Sequence, residues 1–316
     1  MSSATTGAVE AFAAEVGPAD AGPVSAVGGR TQWRVGGGVS PDAREVRAPA
    51  GIVALEAADM TVRVGAGTTV AELDAALAEV GQTVALPPWD GATVGGVLAV
   101  GHSGLRRLGW GAVRDVLLEA RVVTADGRVV KAGGPTVKNV SGYDLCRLLV
   151  GSLGTLAFTA EVVLRTRPLP PAERWLSGEA DPFGLVDRLY RPAAILWDGT
   201  TTWVLLDGHP DDVAAQSALA GLADAGGPPA LPGPHRWSLR PSELPALGGD
   251  GSSEGPGPFV AEVGVGVVHA QRPAPARPVD THIVELHSRI KAVFDPGGRL
   301  NPGRDPLAAA GAGAAE

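Results

Sequence analysis

Glycine, more than any charged side chain, marks where this sequence is equipped for chemistry. From Ala92 to Gly111 the chain sets Gly95, Gly96, Gly101, Gly104, Gly109 and Gly111 around one short apolar run. That much glycine weakens an ordinary helix or strand. It suits backbone that turns sharply or lies flat against a planar ligand. A second loop, Gly28-Gly29-Arg30-Thr31, follows a strand expected over 24–27. Successive N–H groups in such a loop can converge on one anion, with the Thr31 hydroxyl as a further donor; the bland alternative is a surface turn. No Gly-Lys-Ser/Thr follows, so it is not a Walker loop, and it does not fit Gly-x-Gly-x-x-Gly. A third tight loop runs Gly151-Ser-Leu-Gly-Thr155.

Charged and nucleophilic residues near these loops have two readings each. His102 could act as an acid or base, but a structural, hydrogen-bonded histidine is simpler. Arg106 and Arg107 could meet phosphates or a carboxylate, or form salt bridges. Cys146, on the apolar side of a short helix, reads as inert packing. His282 and His287 are five apart and make a poor helical metal pair, while His209, His235 and His269 have no partners by spacing. No metal site is expected.

The elements that must hold these loops are partly legible. A helix is expected over 8–16 and strands over 46–55 and 60–64. The clearest helix covers 70–80: Thr69 and Glu72 make a capping box, and Val70, Leu73, Leu77 and Val80 share one face. Alternation over 113–123, an Asp126-Gly127 turn and a return over 128–131 make a β-hairpin. Lys138, Asn139 and Tyr143 enter a short helix with Leu145, Leu148 and Leu149 inward, which Asp144 can cap. A strand over 156–166 ends at Arg167-Pro168. Residues 225–258, rich in Gly, Pro and Ser, read as loop. Beyond them come one strand over 259–269 and an amphipathic helix over 283–294 with Ile283, Leu286, Ile290 and Phe294. The tail from Ala308 is Ala/Gly-rich and read as disordered.

Bulk properties narrow the function classes. The 316 residues are 45% hydrophobic and 19% charged, which allows a substantial core. The net charge of −8 and the lack of a basic stripe argue against nucleic acid. A single cysteine excludes an intrachain disulfide framework and fits a reducing compartment. With neither a signal-peptide pattern nor an apolar run long enough to span a bilayer, the expected localisation is cytoplasmic, with peripheral membrane attachment only through partners.

Six motifs then line up in one order: Gly-Gly-x-Thr (28–31), Arg-Val-Gly-Ala-Gly (63–67), Thr-x-Gly-Gly (93–96), Gly-x-x-Gly-x-Arg-Arg-x-x-x-Gly-x-x-Arg-Asp (101–115), Lys-Asn-x-x-Gly-Tyr-Asp-Leu-x-Arg-Leu-x-Val-Gly-Ser-x-Gly (138–154) and Asp-Pro-x-Gly-x-Leu-Asn-Pro-Gly-Arg (295–304). Together they resemble the vanillyl-alcohol-oxidase/PCMH family of FAD-linked oxidoreductases, well over 20–170 and locally over 290–304. The resemblance implies an α+β fold. A two-subdomain PCMH-type FAD-binding domain (1–170) is followed by a short, reduced α+β cap (171–290) and a segment returning to the FAD domain (291–316). It implies FAD contacts from Gly28, Gly29, Arg30, Thr31 and Gln32, then from Thr93, Gly95, Gly96, Gly101, His102, Ser103, Gly104, Arg107, Gly111 and Asp115. Further contacts are implied from Gly151, Ser152, Gly154, Thr155 and Arg304. Some family members attach flavin through a histidine in or near the first loop; here the loop has neither His nor Cys, so non-covalent FAD is expected.

Within the family the chain is most similar to FAD-binding subunits of glycolate oxidase-like complexes. This implies oxidation of a small 2-hydroxy acid to a 2-oxo acid, with a catalytic FAD subunit and an iron–sulfur subunit as partners. One cysteine cannot ligate a cluster in this chain. Catalytic 2-hydroxy-acid members carry His/Glu metal ligands and carboxylate-binding arginines in the cap. No such cluster is visible by spacing here, so the flavin is expected to serve electron transfer or assembly more than substrate. Two other readings share the same residues: a self-sufficient FAD-dependent oxidoreductase with a small cap, and a structural subunit that has lost FAD.

Overall fold

The computed structural model describes residues 3–134, 144–248, 255–276 and 278–311. Lys138, Asn139 and Tyr143 lie outside the described residues, as do 249–254 of the expected loop and 312–316 of the tail. The chain divides into two compact units. The first comprises Met1–Gly104, Ala112–Leu169 and Val279–Ala308; the second comprises Leu105–Gly111, Pro170–Pro278 and Ala309–Glu316.

The first unit opens with helix α1 (Ser3–Val16), then a parallel pair, β1 (Val24–Ala26) and β2 (Arg44–Val46). Its main sheet is antiparallel. It contains β3 (Ile52–Glu56), β4 (Thr61–Gly65), β6 (Leu117–Val123), β7 (Val129–Gly133) and β8 (Phe158–Arg165), in the order β3-β4-β8-β6-β7. A two-residue pair, β5 (Gln82–Thr83) and β9 (Arg167–Pro168), stands apart. The Asp126-Gly127 turn joins β6 to β7, with Gly127 N–H donating to Thr124 O at 2.9 Å.

Strand alternation sets the two faces of this sheet. Val62, Val64, Ala120, Val122, Val162 and Leu164 point into a core shared with α2 (Val70–Ala78), α3 (Val94–Val100) and α5 (Leu145–Leu149). The opposite face carries Arg63, Glu119, Arg121 and Glu161. Arg63 Nη1 donates to Glu119 Oε1 and Glu161 Oε1, both at 3.0 Å. Nearby, α1 packs Val9, Phe12 and Val16 against Val24, Val46, Val123 and Phe158.

Local signals account for several boundaries. Helix α2 has both halves of its capping box: Glu72 N–H donates to Thr69 Oγ1 at 3.1 Å, and Thr69 N–H to Glu72 Oε2 at 2.9 Å. It stops at Ala78, which leaves Val80, expected on the buried face, 43% exposed. Asp144 caps α5 by accepting from Arg147 N–H at 3.1 Å.

The glycine-rich segment departs from expectation, because its first third is the regular helix α3. Thr93 caps it by accepting from Gly96 N–H at 3.2 Å. Gly95 N–H donates to Ala66 O at 2.7 Å, and a Cβ on Gly95 would lie 2.9 Å from Ala66 Cβ. Tertiary packing, with this close approach, outweighs the weak helix propensity of glycine.

The last part of the first unit is α8 (Thr281–Phe294) and the turn after it. Contrary to the expected inward stripe, no α8 side chain is fully buried; Ile283 is 52% and Leu286 55% exposed. Its C-terminal end is what ties it down. Lys291 Nζ donates to Thr155 O at 2.7 Å and pairs with Asp295 at 2.5 Å. Buried Arg299 then donates to the carbonyls of Val16, Gly22 and Ala125.

The second unit is a seven-stranded antiparallel sheet. Its strands are β10 (Ala172–Gly178), β11 (Ala194–Trp197), β12 (Thr202–Gly208), β13 (Ala223–Ala225), β14 (His235–Ser238), β15 (Phe259–Glu262) and β16 (Val267–Ala270), in the order β13-β10-β12-β11-β15-β16-β14. Helices α4 (Arg107–Trp110), α6 (Pro182–Arg188) and α7 (Pro210–Ala220) belong to it, with a core of Leu176, Leu185, Trp197, Val204 and Trp237. The single strand expected over 259–269 is a hairpin. Gly264 and Gly266, both at positive φ, reverse the chain where alternation alone suggested continuity. The loop expected over 225–258 contains β14 and a 3-10 helix, Pro241–Gly248. The place of β14 is set by its pairing with β16, which no local period encodes.

Candidate functional site

The first glycine loop leaves β1 and lies against the approach to α3. A Cβ on Gly28 would be 2.3 Å from Thr93 Oγ1, and one on Gly29 would be 1.7 Å from Gly91 O. Only bare backbone fits between these strands of chain. Arg30 takes a left-handed conformation (φ 58°), which curls the loop. No acceptor among the described residues meets the backbone N–H of Gly28, Gly29, Arg30, Thr31 or Gln32. Five consecutive unspent donors in a curled loop make an anion-binding concavity.

Two cavities flank this loop. One is walled by Arg30, Thr31, Gln32, Trp33, Trp89 and Arg304. The other runs past Ala66, Gly95, Ser152, Gly154 and Thr159. Gly28, Thr93, Gly96 and Asn301 border both. In the first cavity Trp33 lies under two guanidiniums, with Arg30 Cζ 5.0 Å and Arg304 Cζ 4.7 Å from its ring centroid. Arg304 is fixed by donating to Val35 O and Gly37 O at 2.7 and 2.6 Å, and burial lowers its pKa. Arg30 is half-exposed and pairs with Glu45.

The residues singled out in the sequence separate into groups. Gly28, Gly29, Arg30, Thr31, Gln32, Thr93, Gly95, Gly96, Ser152, Gly154 and Arg304 line one or both cavities. Gly101, His102, Ser103, Gly104, Gly151, Thr155 and Asp115 belong to the first unit but line neither. Ser103 Oγ accepts from Val113 N–H, and Thr155 Oγ1 donates to Ser152 O. Asp115 pairs with Arg147 at 3.3 Å. Gly101 ends α3 at φ 74°. Arg107 and Gly111 fall in the segment grouped with the second unit. So does Arg106, which pairs with Glu173 at 2.6 Å and stacks on Trp110.

The helix N-terminus offers less than its glycines suggested. The N–H groups of Val94, Gly95 and Gly96 are taken by Thr68 O, Ala66 O and Thr93 Oγ1. In the Gly151 loop, the N–H groups of Gly151, Ser152, Leu153 and Thr155 are likewise engaged. The free donors are concentrated in the first loop.

Sequence reasoning missed Trp33, Trp89 and Asn301. Asn301 bridges the site, accepting from Ala26 N–H at 3.1 Å and donating to Leu153 O at 2.6 Å. Its place inside the Asn-Pro-Gly-Arg motif was the available signal. Spacing also missed a partner for His269: its Nε2 lies 2.9 Å from Glu262 Oε1 across the β15–β16 hairpin. Cys146 fits the inert reading, since burial, with Asp144 adding to it, pushes its thiol up to about 11. Among the described residues no group of three or more His, Cys, Asp or Glu converges, and no helix is long and apolar enough to cross a membrane.

This donor loop between two cavities, on an antiparallel α+β framework, has the form of a dinucleotide-cofactor domain. Residues 10–133 match the FAD binding domain family. Over 218 residues the chain is 31% identical to glycolate oxidase subunit GlcE of Escherichia coli, an alignment covering 66% of this chain and 62% of that protein. It is 45% identical over 107 residues to a D-lactate dehydrogenase of Archaeoglobus fulgidus, covering 33% of this chain and 24% of that one. It is 40% identical over 84 residues to glycolate oxidase subunit GlcD of Bacillus subtilis, covering 27% and 18%. The chain thus spans less than two thirds of the length of each. Among solved structures, an alkyldihydroxyacetonephosphate synthase superposes with a TM-score of 0.65 at 15% identity, covering 93% of this chain and 73% of that one. The fold is the PCMH-type FAD-binding fold.

FAD fits the residues present. A pyrophosphate needs several convergent donors without a fixed cation, which the Gly28–Gln32 loop supplies. Two flat ring systems need room beside it, which the two adjoining cavities that share Gly28, Thr93, Gly96 and Asn301 offer.

Proposed function

We propose that this chain is the FAD-carrying subunit of a multi-subunit oxidase or dehydrogenase that converts a 2-hydroxy acid to a 2-oxo acid. The observation that carries the cofactor assignment is the row of five unspent N–H groups from Gly28 to Gln32, bounded by two cavities. In this reading those N–H groups and the Thr31 hydroxyl hold the pyrophosphate. Thr93, Gly96 and Asn301 form the waist under it, and Trp33 and Arg304 wall one ring. Bound there, the flavin supplies an acceptor for the hydride of the substrate α-carbon. The binding is non-covalent, because the loop offers neither His nor Cys.

The assignment of residues 1–170 as FAD domain, 171–290 as cap and 291–316 as a returning segment is part of this proposal. So are the partners, a catalytic FAD subunit and an iron–sulfur subunit. Their support is the likeness to two glycolate oxidase subunits and the lone cysteine, too few to ligate a cluster.

The test begins with the purified chain incubated with FAD and desalted. Retained flavin absorption, lost on acid precipitation of the protein, is the expected result. Glycolate and D-lactate are then added anaerobically to the chain alone and to the assembled complex. Bleaching in the complex supports the reading; a protein that stays colourless after reconstitution overturns it.

A further inference from the structure

Helix α8 (Thr281–Phe294) carries an apolar stripe that its own chain leaves open. Ile283, Leu286, Ile290 and Val293 recur at alternating three- and four-residue spacing, the a and d positions of a heptad. Leu286 is 55% and Val293 78% exposed, and only Ile290 is half-buried. Every side chain from Thr281 to Leu286 is exposed, although Ile283, Val284 and Leu286 are apolar. No other described helix or strand packs along α8. It is held at its ends instead. Asp280 accepts from His282 N–H at 2.8 Å, and Lys291 donates to Thr155 O at 2.7 Å. A helix of 14 residues is marginal in water without tertiary packing. An amphipathic helix buries its stripe against something, and no described element of this chain supplies the cover.

The borders of the stripe define what fits it. In the same heptad His282 and Arg289 fall at g and His287 at e, three basic side chains with no carboxylate among them. His282 has Glu285 at 4.0 Å, one step further round the helix from the stripe. Arg289 is exposed and pairs with no described carboxylate. Paired helices match opposite charges at e and g. Two copies of α8 would set Arg289 and the histidines against one another, g on g when antiparallel and g on e when parallel, with no acid in either arrangement. The segments outside the described residues do not fit either. Residues 135–143 have no Asp or Glu, and 249–254 and 312–316 have no large apolar residue.

We propose that α8 is a docking surface for a partner protein that lays an amphipathic helix along Ile283, Leu286, Ile290 and Val293. Asp or Glu beside the partner's own stripe meets Arg289. The surface stands on α8 alone; that the partner is another subunit of the enzyme rests on the function proposed above. From α8 the chain runs through Asp295 and Arg299 to Asn301 and Arg304 at the cavity walls. The partner therefore docks on the element that leads into the cofactor site.

The test isolates the complex through a tag on the full chain and compares variants. Leu286→Glu and Val293→Glu lose the partner while Tm and flavin content stay unchanged, because both side chains are exposed in the chain alone. Arg289→Glu loses it as well, and Arg289→Lys keeps it. The lysine variant also supplies an amine, which a carbodiimide joins to a neighbouring carboxylate as an amide, itself taking up the water. Mass spectrometry is expected to place the link on an Asp or Glu beside the apolar stripe of a helix in another protein, a link that wild type does not form. A link to a second copy of this chain or to its own residues overturns the proposal. So does a chain isolated with no partner, or one that keeps its partner through both glutamate substitutions. Flavin, read on the same samples, separates the two readings. A yellow chain whose partner survives Leu286→Glu and Val293→Glu refutes this surface alone. A colourless chain that loses its partner in those variants refutes the flavoprotein reading alone.

Discussion

Gly29 packs so closely on Gly91 that a Cβ at position 29 would lie 1.7 Å from the Gly91 carbonyl oxygen. This contact between two loops distant in sequence sets the floor of the donor loop. Gly29→Ala must push the loop off its seat and turn its N–H groups out of register. The expected result is loss of FAD retention by at least about tenfold, with a stability cost of about 1–3 kcal/mol from overpacking. Flavin content after desalting and urea unfolding of the apoprotein measure the two effects.

Asn301 ties the C-terminal segment to the site through Ala26 N–H and Leu153 O, at φ 43°. Asn301→Ala loses both bonds and strands two partly buried backbone groups, for an expected cost of about 2–4 kcal/mol. Asn301→Asp keeps the acceptor and loses the donor, so it should fall between wild type and alanine in urea midpoint. An alanine variant as stable as wild type would contradict the bridging role.

Arg63 holds two carboxylates, Glu119 and Glu161, each 2% exposed, on one face of the first sheet. Arg63→Met leaves both in place. Breaking a fully buried pair costs about 3–5 kcal/mol; here about 2–3 kcal/mol is expected, because Arg63 is partly solvated and Arg121 and Lys131 remain nearby. Chemical denaturation at neutral pH reads the loss.

Glu72 titrates below its ordinary value of 4.5, because the Thr69 hydroxyl and then the Thr69 N–H donate to its carboxylate. A depressed folded-state value means the capping contribution is present above the unfolded value and lost as pH falls through the folded one. The stability difference between wild type and Glu72→Gln, followed by thermal unfolding, should therefore shrink as pH drops below about 4.5. A difference independent of pH would exclude this role.

Much of the framework was legible because its signals are local. The Thr69–Glu72 box, the Asp126-Gly127 hairpin and the Asp144 cap depend on residues within a few positions of one another. Legibility ended where partners are far apart in sequence. Val80 and Ile283 fit a helical period and still face outward, since periodicity states which residues share a face and not what covers it. The glycines of 94–100 looked unfit for a helix until Thr93 and Ala66 supplied its cap and its close contact.

By itself the sequence determined where bare backbone must run, which short helices are capped, and that one cysteine is too few to hold a four-cysteine iron–sulfur cluster. Only the tertiary structure decided which of those N–H groups stay free. The donors at the start of α3 and those of Gly151, Ser152, Leu153 and Thr155 are consumed by neighbouring carbonyls and side chains, whereas those of Gly28–Gln32 are not. It also decided that Glu262 meets His269 across a hairpin while Arg236 is left with no hydrogen-bond partner among the described residues. The physical reason is common to both. A donor's availability and a charge's compensation depend on what other parts of the chain bring within hydrogen-bonding distance, and spacing along the sequence does not encode that distance.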